Sequence, residues 1–257
     1  MKFTQIPVAD KKYLNYIFIE VKVAGKPLIA MFDTRGNSLI KKSVADTIDI
    51  TYLDKDPIDE RRGWKRARAN LNLGGLEIGS APIVVANDDS FYLPKDPTGN
   101  DFPADMILGW NIISQLSFRA DLRKNIFEVQ IDDFKEPSSK EKGNSPVLYV
   151  EFEGERILAA INSSLPITTV SQKVFDKIIG KTGARANELE ILGLADENLS
   201  YETKLRFKID EDTIILPQAQ LNPHLNDEKV DIVFGADLLQ STTWAMYSPQ
   251  RYFRARQ

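Results

Sequence analysis

The chain has 257 residues, 42% of them hydrophobic, enough to bury one large core or two smaller ones. A formal charge of -4 provides no basic field for nucleic acid or an anionic membrane. The lack of cysteine excludes disulfides, a thiol nucleophile and thiolate metal sites, and a single histidine cannot form a usual zinc centre.

The opening stretch MKFTQIPVADKKYLNY has no apolar h-region, and no run approaches the roughly 18 apolar residues of a membrane span. This predicts a soluble chain, read as cytoplasmic. Residues 16–23 alternate from Phe18 onward, break at Ala24-Gly25-Lys26-Pro27 and resume as the apolar run 28–32, which predicts a β-hairpin. Asp33-Thr34-Arg35-Gly36 follow at once. Ile40, Val44, Ala45 and Ile48 fall on one face of a predicted short helix. Residues 59–71 then carry Arg61, Arg62, Lys65, Arg66 and Arg68 around a Gly63-Trp64 tip. Asp105-Met106-Ile107-Leu108-Gly109 precedes a predicted helical turn over 111–116 and strand patterns from 117 to 131. Residues 132–145, DDFKEPSSKEKGNS, are charged and bear Pro, Ser and Gly with almost nothing to bury, so they read as a linker between lobes 1–131 and 146–257.

The second half takes up the same order. Residues 147–152 and 156–161 predict a hairpin through Glu153-Gly154-Glu155, followed by Asn162-Ser163-Ser164. Ser171 can cap a helix whose Val174, Phe175, Ile178 and Ile179 share a face. Asp231-Ile232-Val233-Phe234-Gly235 leads into a helical turn at 236–240 and strand patterns from 242 to 256. Thus Gly25-x7-Asp33-Thr34-Arg35-Gly36 answers to Gly154-x7-Asn162-Ser163-Ser164 at an offset of 129, and the two glycine anchors match at an offset of 126. Two anchors in the same order predict two similar lobes.

On these motifs the chain resembles a two-lobed, retropepsin- or pepsin-like aspartic protease. In that family each lobe carries a hydrophobic-hydrophobic-Asp-Thr/Ser-Gly triplet after a hairpin, and later a hydrophobic-hydrophobic-Gly segment that packs under the triplet loop. Met31-Phe32-Asp33-Thr34 and Ile107-Leu108-Gly109 match in the first lobe; Ala160-Ile161-Asn162-Ser163 and Val233-Phe234-Gly235 stand there in the second. The resemblance covers nearly the whole chain. It implies a mostly β, two-lobed acid-protease-like fold, each lobe a small β-barrel with one or two short helices, and a cleft where Asp33 faces Asn162.

It also implies where the sequence departs. Two carboxylates about 3 Å apart share one proton, one acting as base on a water while the other protonates the substrate carbonyl. Asn162 has no titratable proton and cannot join such a dyad. Arg35 replaces the first glycine and puts a cation beside Asp33 that favours its ionised form, and Ser164 replaces the second. Gly36 can stand in after a shift of one residue. Thr34 and Ser163 retain hydroxyls to tie the loops together. Asn162 is read as natural divergence or as an introduced change; the sequence leaves both open.

The segment around Gly63 and Trp64 takes the place of the family's flap. One reading has Trp64 cover a ligand while Arg61, Arg62, Lys65, Arg66 and Arg68 select an acidic partner; the other is a solvated hairpin whose charges protect an edge. The corresponding stretch of the second lobe, 192–198, is acidic. His224 reads as an ordinary loop histidine. Gly74-Gly75 with Gly79 lacks the spacing of a dinucleotide loop, and Asp88-Asp89 and Asp132-Asp133 read as surface charges. The expected partner is a peptide or protein ligand in the interlobe cleft, with no cofactor, no metal, no nucleic acid and no membrane. The simplest state is a monomer. Two functions stay open: an aspartic endopeptidase, active or inactivated, and a peptide-binding pseudoprotease.

Overall fold

The computed structural model describes residues 1–91, 95–132, 146–182, 186–188, 199–201, 205–227 and 229–257. A short strand β1 (Phe3–Gln5) precedes the hairpin of β2 (Phe18–Val23) and β3 (Lys26–Phe32), paired from Phe18↔Met31 to Val23↔Lys26. Its two-residue turn has positive φ at both Ala24 and Gly25, the twist that fits a tight hairpin. There follow β4 (Leu39–Lys41), helix α1 (Lys42–Ala45), β5 (Thr51–Tyr52), the long pair β6 (Lys65–Leu73) and β7 (Leu76–Ala86), β8 (Met106–Leu108) and α2 (Trp110–Ile113). The first-lobe sheet runs β2-β3-β8-β4-β7-β6-β5, and a further β2–β6 pairing curls it into a barrel. Ile40 belongs to β4 and not to a helix, because it pairs with both Met106 and Val85; burial between two strands overrides the helical spacing.

Next come β9 (Ser117–Asp121) and β10 (Ile126–Gln130), then the second-lobe hairpin β11 (Val147–Phe152) and β12 (Glu155–Ile161). Its turn residues Glu153 and Gly154 again both have positive φ. The lobe continues through β13 (Thr169–Val170), α3 (Gln172–Thr182), β14 (Ala186–Glu188), β15 (Leu199–Tyr201), β16 (Leu205–Ile209), β17 (Asp212–Leu216), β18 (Ala219–Leu221), β19 (Ile232–Phe234) and α4 (Ala236–Ser241). Ser171 precedes α3 as read from sequence, and its hydroxyl accepts from the Val174 N–H at 3.5 Å. The short segment Pro223–Asp227 that carries His224 is a 3₁₀ turn with the imidazole exposed. Residues 192–198, the acidic stretch that corresponds in sequence to the flap segment, and 133–145 of the linker lie outside the described residues, as does the Ile179 side chain.

The strand patterns at the end of each half prove to be two strands apiece. β9 and β10 are joined through Asn125 at φ 54, and β20 (Thr243–Tyr247) and β21 (Tyr252–Arg256) through Arg251 at φ 53. They do not close separate barrels. They form one sheet, β1-β10-β9-β20-β21, in which Ser117↔Tyr247 through Asp121↔Thr243 join the halves. Its inner face supplies Phe118, Phe127 and Trp244, and Phe32 at the end of β3 packs edge-on against the two phenylalanines at 5.3 and 5.1 Å. The residue before Asp33 is thereby anchored in a core to which both halves contribute. The fold is mostly β and two-lobed. Among the described residues, no helix is long and apolar enough to cross a membrane.

Candidate functional site

Each lobe delivers its loop by the same three strands. In the first, β8 lies between β3, parallel to it (Phe32↔Leu108), and β4, antiparallel to it (Leu39↔Ile107). In the second, β19 lies between β12 (Ile161↔Phe234) and β13 (Thr169↔Val233) with the same senses. The chain leaves β3 at Asp33, whose N–H donates to Leu108 O at 2.9 Å, and leaves β12 at Asn162, whose N–H donates to Phe234 O at 2.8 Å. Gly109 and Gly235 lie beneath these loops. A Cβ on Gly109 would meet the Asn37 carbonyl carbon at 2.4 Å, and one on Gly235 the Ile167 carbonyl carbon at 2.7 Å, so only glycine permits the approach.

The two loops are bonded to each other. Thr34 N–H donates to Ser163 Oγ at 2.9 Å and Ser163 N–H to Thr34 Oγ1 at 3.0 Å. Their hydroxyls donate onward across the lobes, Thr34 to Ile161 O at 3.0 Å and Ser163 to Phe32 O at 2.7 Å. Both side chains are fully buried. Four bonds within one desolvated knot leave no donor unmet and fix the two loops as a unit.

Around this knot the third positions hold side chains where the family has glycine. Arg35 N–H donates to Asp33 Oδ1 at 2.8 Å and Ser164 N–H to Asn162 Oδ1 at 3.2 Å, so both loops keep the same register. Gly36, at φ +81, does not shift into the third position: its carbonyl accepts from Trp110 N–H just as Leu165 O accepts from Ala236 N–H. The Ser164 hydroxyl donates to Asn162 Oδ1 at 2.6 Å. Burial pushes the Asp33 carboxyl up to about 6, against the lowering effects of the Arg35 N–H, the Ser164 hydroxyl and, smallest, the Arg35 charge. The cation expected to keep Asp33 ionised is thus outweighed by desolvation, because the guanidinium is exposed.

Two pairs under the loops escaped the sequence reading. Asn111 Oδ1 accepts from Ser38 N–H at 2.7 Å and from its hydroxyl at 2.8 Å, while Ser38 Oγ accepts from Gly109 N–H at 2.9 Å. In the second lobe the Asp237 carboxylate accepts from Thr168 N–H at 3.1 Å and its hydroxyl at 2.8 Å, and Thr168 Oγ1 accepts from Gly235 N–H at 3.1 Å. The signal was available: Asn111 and Asp237 each stand two places after a glycine anchor. Burial pushes the Asp237 carboxyl up to about 6 despite the Thr168 donors. Tyr16, just before β2, also went unremarked; burial, then Tyr13 and Asp33, push its hydroxyl up to about 12.

The flap-position segment is a hairpin end closed by an Asp59↔Trp64 bridge, with Gly63 in the turn. Its cations are largely engaged. Arg66 grips Asp54 through two nitrogens, Arg68 donates to Ser80 O at 2.9 Å and Lys65 to Lys55 O at 2.8 Å. Arg62 lies 4.8 Å from the Trp64 ring centre and 3.9 Å from Asp59. The turn is pinned rather than free, since Arg62 O accepts from Asn87 N–H at 3.3 Å. A cavity of about 380 Å³ opens elsewhere, on the shared sheet beside Arg119, Asp121, Glu128 and Arg254. It contains none of the loop residues, and Arg119 pairs there with Glu128.

With this geometry in hand, the chain is similar to a crystal structure of an aspartic proteinase from Irpex lacteus. The TM-score is 0.61 at 14% identity, covering 99% of this chain and 97% of that one. The fold is aspartic-protease-like. No protein-family model and no curated protein sequence matches the chain.

Proposed function

We propose that this chain binds an extended peptide or protein segment between its lobes and is impaired as an aspartic endopeptidase. The observation that carries the reading is the amide at position 162, held by Ser164 in the loop knotted to that of Asp33. An acid-protease mechanism needs one group to take a proton from water and another to give one to the substrate carbonyl. Asp33 suits the first task. Asn162 can hydrogen-bond a carbonyl but has no proton to transfer. The full-length likeness to an aspartic proteinase supports a retained cleft, and the buried hydrogen-bonded knot supports its being held in shape. A monomer belongs to the reading, because one chain provides both loops.

A second reading, an endopeptidase active through Asp33 or inactivated at position 162, is favoured by one observation: a carboxyl pushed up to about 6 suits a general base near neutral pH. One experiment separates the two. The chain, Asn162→Asp and Asp33→Ala are incubated with a peptide library from about pH 3 to 7, and pepstatin binding is measured in parallel. The expected result is pepstatin or peptide binding by the chain without turnover. Cleavage by the chain that disappears in Asp33→Ala overturns the impaired reading.

A further inference from the structure

Tyr16 stands across from Asp33. β2 and β3 pair as Phe18↔Met31, and the Phe32 N–H donates to Ile17 O at 2.9 Å, so the antiparallel register runs one residue past β3 and sets Tyr16 opposite Asp33. Ile17 and Phe32 are a hydrogen-bonded pair. Tyr16 and Asp33 are therefore, like Phe18 and Met31, a pair of the other kind, with Cα atoms about 4.5 Å apart and side chains close together on one face. The packing agrees: Met31, two residues before Asp33 and so on its face, lies in a buried cluster with Tyr13 and Phe18, and Tyr16 packs against that cluster. The Tyr16 ring stacks on buried Tyr13 at 5.9 Å, and Tyr13 meets Phe102 edge-on at 5.4 Å. Tyr16 is half-buried.

The second lobe holds it there. Asn15 Nδ2 donates to Pro166 O at 2.9 Å, two residues past Ser164, and Gln240 Nε2 near the end of α4 donates to Asn15 O at 3.3 Å and Tyr16 O at 3.5 Å. Leu14, at φ 52, turns the chain into this clamp, and the Tyr16 N–H closes the turn on Tyr13 O at 3.3 Å.

We propose that Tyr16 is a positioning residue for Asp33: its ring shields the carboxyl from water on the first-lobe side, and the clamp through Asn15, Pro166 and Gln240 lets the second lobe decide whether that shield is in place. This rests on the reading of Asp33 as the acid the site retains. With the clamp made, Asp33 is a desolvated acid that holds its proton; with the lobes drawn apart, it is a solvated carboxylate. The ring does this and the hydroxyl does not, because excluding water needs bulk beside the carboxyl and no hydrogen bond to it. A group on one lobe is thus tuned by side chains of the other, and a ligand that pushes the lobes apart ionises Asp33 as it enters.

The test follows the Asp33 carboxyl by carbon-13 NMR against pH in the parent, Tyr16→Phe, Tyr16→Ala and the double variant Asn15→Ala/Gln240→Ala. The charged and titrating groups facing Asp33 are Arg35 on its own loop and Tyr16 before β2; the second-lobe loop presents the uncharged Asn162, Ser163 and Ser164. Removing the ring is expected to lower the Asp33 pKa by about one pKa unit or more, and phenylalanine is expected to keep it within a few tenths of the parent. The double variant, which leaves the aromatic stack intact, is expected to shift it in the same direction by less. An Asp33 titration unchanged in folded Tyr16→Ala overturns the proposal, as does a fall in Tyr16→Phe equal to that in Tyr16→Ala. An unchanged titration in the double variant overturns the control by the second lobe, and where Tyr16→Ala does not fold, that variant decides the whole. Failure of the cleft reading shows separately, as absence of peptide and pepstatin binding by the parent, and leaves the titration result standing.

Discussion

The two lobes build the same hydrogen-bonded frame with carboxylate and amide exchanged. In the first, the loop position is Asp33 and the position beneath it Asn111; in the second, the loop position is Asn162 and the one beneath it Asp237. Each of the four side chains accepts from a backbone N–H, in the lower pair from that of Ser38 or Thr168. Three of them also accept from a hydroxyl, Asn162 from Ser164, Asn111 from Ser38 and Asp237 from Thr168. The frame therefore selects an oxygen acceptor at each place and is indifferent to whether it carries a charge. Proton transfer is not indifferent. A lobe can exchange a carboxylate for an amide and keep its architecture, which is why the two loops stay recognisable as copies of one pattern.

The largest effect should come from the glycines that let the frame close. Gly109→Ala meets three backbone atoms at 2.4 to 2.7 Å, whereas Gly235→Ala meets two at 2.7 and 2.8 Å and the Asp237 side chain at 2.9 Å. Urea denaturation should show Gly109→Ala at or beyond the upper end of the ~1–3 kcal/mol typical of overpacking, with Gly235→Ala milder. Equal costs would mean that the second lobe is as rigidly packed as the first. Next come the hydroxyls of the knot. Ser163→Ala removes the acceptor for Thr34 N–H and the donor to Phe32 O. Thr34→Val does the same to Ser163 N–H and Ile161 O. Each should cost about 2–3 kcal/mol by leaving buried groups unpaired, and the double variant should cost less than the sum. Strict additivity would argue against a single cooperative unit.

The exchange itself predicts a smaller, pH-dependent effect. Because burial raises the folded Asp237 pKa from 3.8 to about 6, its neutral form fits the fold better than its anion. Its contribution to stability is full below pH 3.8 and is lost as pH rises through about 6. Asp237→Asn removes that penalty and should stabilise the protein by about 1–2 kcal/mol at pH 7, with no gain at pH 3. The gain falls short of the full shift because the new amide NH₂ needs an acceptor. In the first lobe Asn111 Nδ2 has one, Pro82 O at 2.9 Å. A gain over the parent no larger at pH 7 than at pH 3 would show that Asp237 is charged at little cost and that the lobes are less alike than their hydrogen bonds.

The hairpins, the glycine anchors, the two polar loops and the short helices after Gly109 and Gly235 were legible because they rest on local signals: period-two alternation, turn residues, and glycine at close approach. The shared sheet was not. Nothing local in residues 117–131 or 242–256 says that Asp121 pairs with Thr243, a partner 122 positions away. Ile40 was misassigned because a three-residue strand carries too few positions to reveal its period. Asn111 and Asp237 were legible in spacing but overlooked as polar residues in a helical turn. The direction of the Asp33 shift could not be read from Arg35, since proximity in sequence says nothing about which group is exposed.

The distinction between a group used for its geometry and one used for its charge extends to the hairpin around Gly63. Arg66, Arg68 and Lys65 are committed as tethers to Asp54, Ser80 and Lys55, and Arg62 to Asp59 and the Trp64 ring. A cation already spent on a carboxylate or carbonyl attracts a passing anion weakly, and an exposed one is screened by salt. Arg61 is exposed at the turn, and no bond to it is among these tethers. Arg61→Ala should therefore weaken binding of an Asp-rich peptide by less than about fivefold at low salt, and the difference should vanish at high salt. Lys65→Ala should change that affinity still less while loosening the hairpin base, seen as faster amide exchange at Lys65 and Arg66. A larger loss of affinity from Lys65→Ala than from Arg61→Ala would mean that the tethers release on binding and that this hairpin, unlike the Asp33 and Asn162 loops, is chosen for its charge.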